Sequence, residues 1–408
     1  MTDGIQRRTL LRASLIGGGM GLGVLPEALA GGAAVNPALP LGTRDEAVLE
    51  ALPDKKPLIK LSYRPPNYET PLAALRGPIT ANDAFFVRYH LAGLPDKASL
   101  DRNWALTIDG DAAAQKVKLS LADLQRLPQH EIAAVCQCSG NRRGLSNPHV
   151  AGVEWGVGAM GCAVWRGPRL KDVLALAGVQ QEAKEIGLRG ADEALMDATP
   201  AFIKSMPVDR AFAPSTIVAL SMNGEALPIW NGYPVRLVVA GWTATYWLKH
   251  LTHLEIRRSK VDNFWMSTAY RVPTGMFPGS AFPTQDNDKT RPITDIVINS
   301  LATSHLGGEQ VKGAGFTVSG LAWNNGAGIA RVEISTDDGQ NWKTATLGAS
   351  LGDFAFRPWS KSLTAPPGPV TVRIRATSRD GSIQPEKAIF NGSGYHHNAI
   401  QALSLTAV

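Results

Sequence analysis

The chain has few cysteines, few aromatic residues and no long apolar run. It contains 3 cysteines and 7% aromatic residues in 408 positions, with 44% hydrophobic and 19% charged residues. Three cysteines are too few for a fold built on disulfides, and the odd number leaves at least one thiol unpaired. No apolar run reaches the ~20 residues of a membrane-spanning helix, so stable membrane insertion is not expected. The composition is that of a globular protein long enough for two hydrophobic cores.

Positive charge is in slight excess but forms no block. The chain has 41 Lys and Arg against 35 Asp and Glu, a net charge of +6. It lacks zinc-finger spacing and any basic region that leads into heptads, so nucleic acid is not an expected partner. It also lacks GxGxxG and GxxxxGK[ST], so no nucleotide cofactor is predicted. A mildly basic surface suits an anionic substrate or an acidic protein partner.

The first 30 residues have the features of an export signal. Residues 6–11 read QRRTLL, a Gly-rich apolar run follows from Ala13 to Leu25, and Ala28–Ala30 offers small residues for cleavage. Paired arginines before such a run are typical of the twin-arginine pathway. We therefore predict a twin-arginine signal at 1–30, an extended arm at 31–57 and a periplasmic protein.

Glycine and proline are abundant, and they favour strands and loops over helix. The chain has 41 Gly and 27 Pro. Between Pro78 and Pro283, short apolar runs alternate with helical stretches such as Ser120–Leu127 and Leu170–Ala177, the mixture expected of an α+β domain. A Pro- and Gly-rich stretch at 273–283 is predicted to mark its end.

After residue 290 the pattern changes to an alternation of apolar and polar residues. Residues 316–320 read FTVSG, residues 331–335 read RVEIS, and residues 370–376 read VTVRIRA. Short alternating strands separated by turns over 290–408 predict an immunoglobulin-like β-sandwich. The predicted fold class is therefore α+β, with a mixed α/β domain followed by a C-terminal sandwich.

The residue types that carry chemistry concentrate at 134–143, which read AVCQCSGNRR. Cys136 and Cys138 are too close to pair without strain, and Cys136 continues an apolar run, which predicts a buried core thiol. Cys138 differs because Arg142 and Arg143 follow it, and positive charge favours the thiolate that ligates metals or attacks electrophiles. No CxxC, HxxxH or HExxH is present. The residues by themselves leave a single-thiolate metal site and a cysteine nucleophile as alternatives.

Residues 138–143, CSGNRR, resemble the Cys-x-Gly-Asn-Arg-Arg signature of the sulfite oxidase family of molybdenum enzymes. The C-terminal part resembles the family's immunoglobulin-like domain, of the Mo-co dimerisation type. Further segments similar to the family follow in the family's order, namely 85–90 (FFVRYH), 152–155 (GVEW), 231–236 (NGYPVR), 241–249 (GWTATYWLK) and 265–270 (WMSTAY).

The resemblance implies a molybdopterin-binding catalytic domain at 58–284 and a cofactor that carries one molybdenum. It implies that Cys138 is the protein ligand of the metal and that Tyr270 takes part in catalysis. Arg88 and Arg143 are the implied substrate-holding residues, which suits the planar guanidinium and its paired hydrogen bonds to oxyanions. The implied contacts to the pterin come from His90, Asn231, Arg236 and Lys249.

Three positions depart from the vertebrate members of the family. Asn231 and Tyr246 stand where those members have His and Arg, so the pterin contacts stay open in detail. Ser393 stands where they have an Arg that binds substrate. The sequence does not say which residue replaces that charge.

The resemblance implies oxidation of sulfite to sulfate, with electrons passed to a c-type cytochrome that is either free or a dedicated haem subunit. The chain has no Cys-x-x-Cys-His and no His-Pro-Gly-Gly segment, so no haem is predicted in it. One alternative is a periplasmic molybdopterin methionine sulfoxide reductase. A non-enzyme alternative is a cofactor-bearing protein that docks a partner. A homodimer and a heterodimer both stay open.

Overall fold

A computed structural model describes residues 48–408 of the chain. The predicted export signal at 1–30, and residues 31–47 of the predicted arm, lie outside the described residues. Within the described part, strands far outnumber helices, and the longest α-helix has 7 residues. None of the helices in this part has the length and apolarity needed to cross a membrane.

The chain from residue 48 to residue 292 mixes small sheets with short helices, which confirms the predicted α+β character. The helices are α1 (Lys97–Asn103), α2 (Leu121–Arg126), α3 (Leu170–Ala175), α4 (Val208–Phe212) and α5 (Phe264–Ser267). The strands are β1 (Leu49–Glu50), β2 (Leu58–Ser62), β3 (Asn67–Glu69), β4 (Val87–Arg88), β5 (Leu106–Asp109), β6 (Val117–Leu119), β7 (Gln129–Gln137), β8 (Met160–Pro168), β9 (Glu185–Gly190), β10 (Ile203–Pro207), β11 (Thr216–Ala219), β12 (Ser221–Met222), β13 (Glu225–Ala226), β14 (Arg236–Val239), β15 (Leu251–Arg257), β16 (Arg271–Pro273) and β17 (Thr290–Pro292).

These strands form three larger sheets and two pairs. The sheet orders are β1-β2-β3-β4, β10-β9-β15-β5-β6 and β13-β12-β8-β7, and the pairs are β11-β14 and β16-β17. Strands β7 and β8 are antiparallel over nine residue pairs, and the loop between them contains the cysteine motif. The predicted boundary at 273–283 begins in β16 and continues into the loop that leads to β17.

The two helices predicted at 120–127 and 170–177 are confirmed as α2 and α3. Helix α2 starts where the sequence indicates, because Ser120 and Asp123 form a capping box. The Ser120 hydroxyl accepts from the Asp123 N–H at 3.2 Å, and the Asp123 carboxylate accepts from the Ser120 N–H at 2.7 Å. Both helices end a residue or two before the predicted positions.

The C-terminal part forms a β-sandwich, as the period-two pattern predicts. Its sheets have the orders β18-β20-β24-β23 and β19-β26-β25-β21-β22. Alternate residues of both sheets, such as Val318, Val332 and Val372, are fully buried in one shared core. The strands are β18 (Asn299–Ala302), β19 (Gln310–Val311), β20 (Phe316–Trp323), β21 (Ile329–Ser335), β22 (Lys343–Thr344), β23 (Thr346–Leu347), β24 (Arg357–Leu363), β25 (Gly368–Ser378) and β26 (Gln401–Ala407).

The sandwich packs directly behind the sheet that leads to the cysteine motif. Trp323 and Phe356 share a buried cluster with Val135 of β7 and Cys162 of β8. The Trp323 indole N–H donates to the side-chain oxygen of Gln137 at 2.5 Å. Strand β7 is therefore held from behind at the residue that precedes Cys138.

Candidate active site

The loop that follows strand β7 carries Cys138. The backbone N–H of Cys138 donates to the carbonyl of Ala159 at 2.9 Å, and its carbonyl accepts from the Asn141 N–H at 3.0 Å. The side-chain oxygen of Asn141 accepts from the Ala159 N–H at 3.0 Å and braces the turn from inside. Only 7% of Cys138 is exposed. A tightly hydrogen-bonded loop therefore presents one sulfur atom to the cavity described below.

Arg88, His90 and Tyr270 meet beside Cys138. Arg88 Nη2 donates to Tyr270 Oη at 3.3 Å, and His90 Nε2 lies 2.5 Å from the same oxygen. Arg88 Nη1 also donates to Asn67 Oδ1 at 3.1 Å, and the guanidinium interacts with the Cys138 thiol. The structure thus brings four of the predicted site residues together, and three of them, Arg88, His90 and Tyr270, form one hydrogen-bonded group.

Burial sets the protonation states in this group. It holds the pKa of His90 well below its usual range, and the charges of Arg88 and two lysines act in the same direction. The imidazole is therefore neutral at pH 7. Burial also raises the pKa of the Tyr270 phenol, and the charge of Arg88 opposes part of that rise. A neutral imidazole in contact with a protonated phenol can exchange a proton with it.

The group forms part of the wall of a cavity that is partly open to solvent. Arg88, Arg236 and Lys249 all line it, whereas Asp192 is the one carboxylate among the described lining residues. Burial, together with Arg236, lowers the pKa of Lys249 to about 7. A cavity with this excess of cations is suited to an anionic ligand.

Arg236 and Lys249 are held in place by the protein itself. Arg236 donates to the carbonyl of Asn231 at 3.1 Å and to Cys136 Sγ at 3.2 Å, and Lys249 Nζ donates to the Arg88 carbonyl at 2.5 Å. The predicted burial of Cys136 is confirmed, but its sulfur also supports a cation of the cavity. Sequence reasoning gave no signal for that contact, because it joins residues 100 positions apart.

The polar atoms left over in this cavity fit a molybdopterin cofactor. Buried polar groups normally have a hydrogen-bond partner, so unpaired ones indicate a missing partner. A phosphate-bearing pterin would supply acceptors for the donors, and Cys138 offers a soft thiolate to its metal. The buried polar atoms without a partner among the described residues include Arg88 Nε, Arg236 Nε, Ser139 Oγ and Thr245 Oγ1.

The side chain of Asn231 is already satisfied within the protein. Its Oδ1 accepts from Lys55 Nζ at 2.5 Å, and its Nδ2 donates to the Phe86 carbonyl at 3.2 Å. Lys55 belongs to the segment predicted to be an extended arm, yet only 7% of it is exposed. Burial lowers the pKa of Lys55 to about 7. The sequence gives no hint of this contact, because a lysine flanked by Asp54 and Lys56 usually lies at the surface.

Arg143 lies outside this cavity and contacts the C-terminal segment instead. Its Nε donates to the carbonyl of Ser393 at 2.7 Å, and its Nη1 donates to that of Val153 at 2.9 Å. Its guanidinium is 5.4 Å from the centre of the Tyr395 ring, which stacks on Tyr270 at 5.5 Å. Arg143 therefore acts on the site indirectly, by contact with Tyr395, which in turn packs on Tyr270.

Two other residues of the motif fix the same loop. Arg142 adopts a φ of +69° and is buried, and its Nη2 donates to the Ser300 carbonyl in the sandwich at 2.7 Å. At Gly140 a Cβ atom would lie 2.6 Å from Arg143 Nη2. A side chain at position 140 would therefore displace the guanidinium of Arg143 from its place against the loop.

Two family models match the chain. Residues 92–265 match "Oxidoreductase molybdopterin binding domain", and residues 290–405 match "Mo-co oxidoreductase dimerisation domain". The first match supports the cofactor assigned to the cavity, and the second coincides with the sandwich.

Curated and solved proteins resemble the chain along most of its length. Human mitochondrial sulfite oxidase (Homo sapiens) is 33% identical over 366 residues, which cover 85% of this chain and 65% of the human protein. The chain therefore spans about two thirds of the length of that relative. Sulfite oxidase of Gallus gallus is 32% identical over 356 residues, which cover 82% of this chain and 74% of the relative. The crystal structure of the sulfane dehydrogenase SoxCD from Paracoccus pantotrophus is 27% identical with a TM-score of 0.72, and the match covers 84% of this chain and 85% of that chain.

The similarity runs through both domains and is not confined to the motif around Cys138. The C-terminal sandwich matches separately from the molybdopterin-binding part. Since the Gallus gallus relative is 32% identical and 74% covered, the chain belongs to the sulfite oxidase family of molybdopterin-binding oxidoreductases.

Proposed function

We propose that the protein is a molybdenum-dependent sulfite dehydrogenase of the periplasm that passes its electrons to a c-type cytochrome. The contact of Arg88, His90 and Tyr270 beside Cys138 carries the proposal. It combines a soft metal ligand, a cation for an oxyanion and a pair of groups that can exchange a proton. Sulfite oxidases among the relatives support the choice of sulfite.

The cofactor is held by three residues of the chain. Cys138 ligates the metal through its thiolate, and Arg236 and Lys249 bind the pterin phosphate through charge-assisted hydrogen bonds. When bound, the oxo-molybdenum centre supplies the transferred oxygen atom and takes up two electrons. The matching domain at 92–265 supports this cofactor.

The substrate is oriented by Arg88, which presents a planar cation to the sulfite oxygens. Sulfite and water give sulfate, two protons and two electrons. Tyr270 would take up a proton released from water while it passes its own phenolic proton to the neutral His90 through their 2.5 Å contact. The two electrons leave one at a time, which requires a one-electron acceptor such as a cytochrome c.

A direct assay tests the proposal. Purified protein with a full complement of molybdenum is mixed with sulfite and ferricyanide, and then with sulfite and cytochrome c. We expect reduction of both acceptors that depends on sulfite. A loaded protein that reduces neither acceptor would instead support the hypothesis of a cofactor-bearing docking protein.

A sulfane compound is the second candidate substrate. The similarity to SoxCD, a sulfane dehydrogenase, favours it, and so does Ser393, which places no positive charge where vertebrate members carry one. Turnover of a sulfane donor at a higher kcat/KM than sulfite would select this candidate. The methionine sulfoxide reductase alternative is less well supported, since that branch lacks a C-terminal sandwich and strands β18 to β26 form one here.

Export through the twin-arginine pathway gives a separate prediction. Arg7→Lys combined with Arg8→Lys should leave the cofactor-loaded protein in the cytoplasm, because the pathway recognises the arginine pair. Cell fractionation followed by a molybdenum assay of each fraction measures the result. Normal periplasmic molybdenum and activity in the double variant would rule out this route.

A further inference from the structure

Lys204 is a buried lysine that the proposed reaction leaves unused. It lies in strand β10 with 0% of its surface exposed, and its Nζ donates to the Trp265 carbonyl at 2.6 Å. No carboxylate of the described residues forms an ion pair with it. A buried cation without a counterion destabilises a fold. The residue therefore needs an explanation other than stability.

The ammonium group of Lys204 faces the rings of two tyrosines. It is 4.8 Å from the centre of the Tyr246 ring and 5.3 Å from the centre of the Tyr270 ring. Its hydrogen-bond acceptor, Trp265, packs edge-on against His90 with ring centres 5.2 Å apart. Lys204 thus lies directly behind Tyr270, and it is connected to His90 only through Trp265.

The charged and titratable groups around Lys204 come from several elements. His90, Tyr246, Tyr270 and Arg271 face it, and burial together with the charge of Arg271 lowers the pKa of Lys204 to about 7. The remaining charged residues on the elements packed against β10 form no ion pair or hydrogen bond with the ammonium group; they are Glu185 and Arg189 of β9, and Asp209 and Arg210 of α4.

We propose that Lys204 is a positioning residue for the active-site tyrosine, Tyr270. The ammonium group of Lys204 fixes the backbone at Trp265 through its hydrogen bond and places a positive charge behind the Tyr270 ring. The inference rests on the proposed function, because Tyr270 acts on a substrate only in that reaction. The charge favours negative charge at the phenolic oxygen and on the anion beside it. Lys204 does so without lining the cavity, so it acts through Tyr270.

The first test compares Lys204→Met with Lys204→Arg in the molybdenum-loaded enzyme. The ammonium group lies 5.3 Å from the centre of the Tyr270 ring, and a charge this near shifts a neighbouring pKa by on the order of one unit. Lys204→Met should therefore lower kcat for sulfite about tenfold at pH 6.5. The ratio of wild-type to variant kcat should fall toward one as pH rises from 6.5 to 9, since the wild-type lysine loses its proton. Lys204→Arg keeps its charge and should retain activity at pH 9. The titration of sulfite itself is common to all three proteins and cancels in the ratios.

The second test does not depend on activity. The pKa of Lys204 is lower in the folded than in the unfolded chain, so its cost to stability is full below pH 7 and fades as pH rises toward the ordinary lysine range. Lys204→Met should therefore raise the Tm by roughly 2–4 °C at pH 6.5, and by less at pH 9. This holds for protein with and without cofactor. A side chain that lowers stability and raises turnover serves function.

The matched control is Lys184→Met, the same change at an exposed lysine beside strand β9. It should alter neither the kcat profile nor the pH dependence of the Tm. A lower Tm for Lys204→Met at both pH values, or an unchanged kcat profile in an enzyme that oxidises sulfite, overturns the inference. If the wild type does not oxidise sulfite, the proposed function fails separately, and the kcat comparison is made with the sulfane or sulfoxide substrate that it does convert.

Discussion

Replacing Cys138 with serine should give a folded protein that no longer oxidises sulfite. The soft thiolate is exchanged for a hard oxygen ligand, and the residue is the single cysteine that lines the cavity among the described residues. Loss of a residue that only supports a metal ligand typically lowers metal affinity or activity about 10- to 100-fold. Loss of the ligand itself should therefore lower kcat at least about 100-fold. Molybdenum content, kcat and a circular-dichroism melt of the same preparation measure the outcome.

Cys162→Ser is the control for this change. Cys162 is also fully buried, and burial raises the pKa of its thiol to about 12, so it stays protonated. Its replacement buries a hydroxyl and should cost about 1–3 kcal/mol of stability with kcat unchanged. Cys136 is a poorer control, because its sulfur accepts a hydrogen bond from Arg236. Sulfite turnover near the wild-type level in Cys138→Ser would remove Cys138 from the metal.

Replacing Arg88 with methionine should have the second-largest effect. Arg88 is a cation that donates to Tyr270 and lines the same cavity as Cys138, and a hydrogen bond to a charged partner contributes roughly 1.5–3 kcal/mol. We expect kcat/KM for sulfite to fall about ten- to a hundredfold, with a higher KM and a smaller change in kcat, because part of the contact already exists with bound substrate. Steady-state kinetics over a range of sulfite concentrations separates the two constants.

Arg88→Lys shows whether charge or geometry matters. Lysine keeps the positive charge but loses the planar fork that spans Asn67 and Tyr270. If orientation is the main contribution, the KM of Arg88→Lys should lie between the values of Arg88→Met and the wild type. Its kcat should stay close to that of Arg88→Met. An unchanged KM in Arg88→Met would mean that another cation holds sulfite. Arg271 is not free for that role, since it donates to the carbonyls of Met266, Gln285 and Thr290.

The arrangement of the side chains within the site could be predicted only in part from the sequence. The family resemblance of residues 138–143, 85–90 and 265–270 implied that Cys138, Arg88, His90 and Tyr270 share a site, and the structure places them together. The sequence did not indicate that Arg143 turns toward Ser393 and Tyr395, or that Lys55 and Lys204 are buried. A single chain shows the residue type at each position but not the direction in which a side chain points.

What the sequence determined by itself is local. Period-two alternation specifies strands such as β20 and β25 because successive side chains point to opposite faces, and the Ser120 and Asp123 pair marks the start of α2 because both hydrogen bonds form within one turn. Only the tertiary structure decided how the site residues contact one another, because these contacts join distant parts of the chain. Arg88 and Tyr270 are 182 positions apart, and Lys55 and Asn231 are 176 apart. Burial then shifts the proton affinity of these groups, and burial is a property of the packed fold rather than of any short segment.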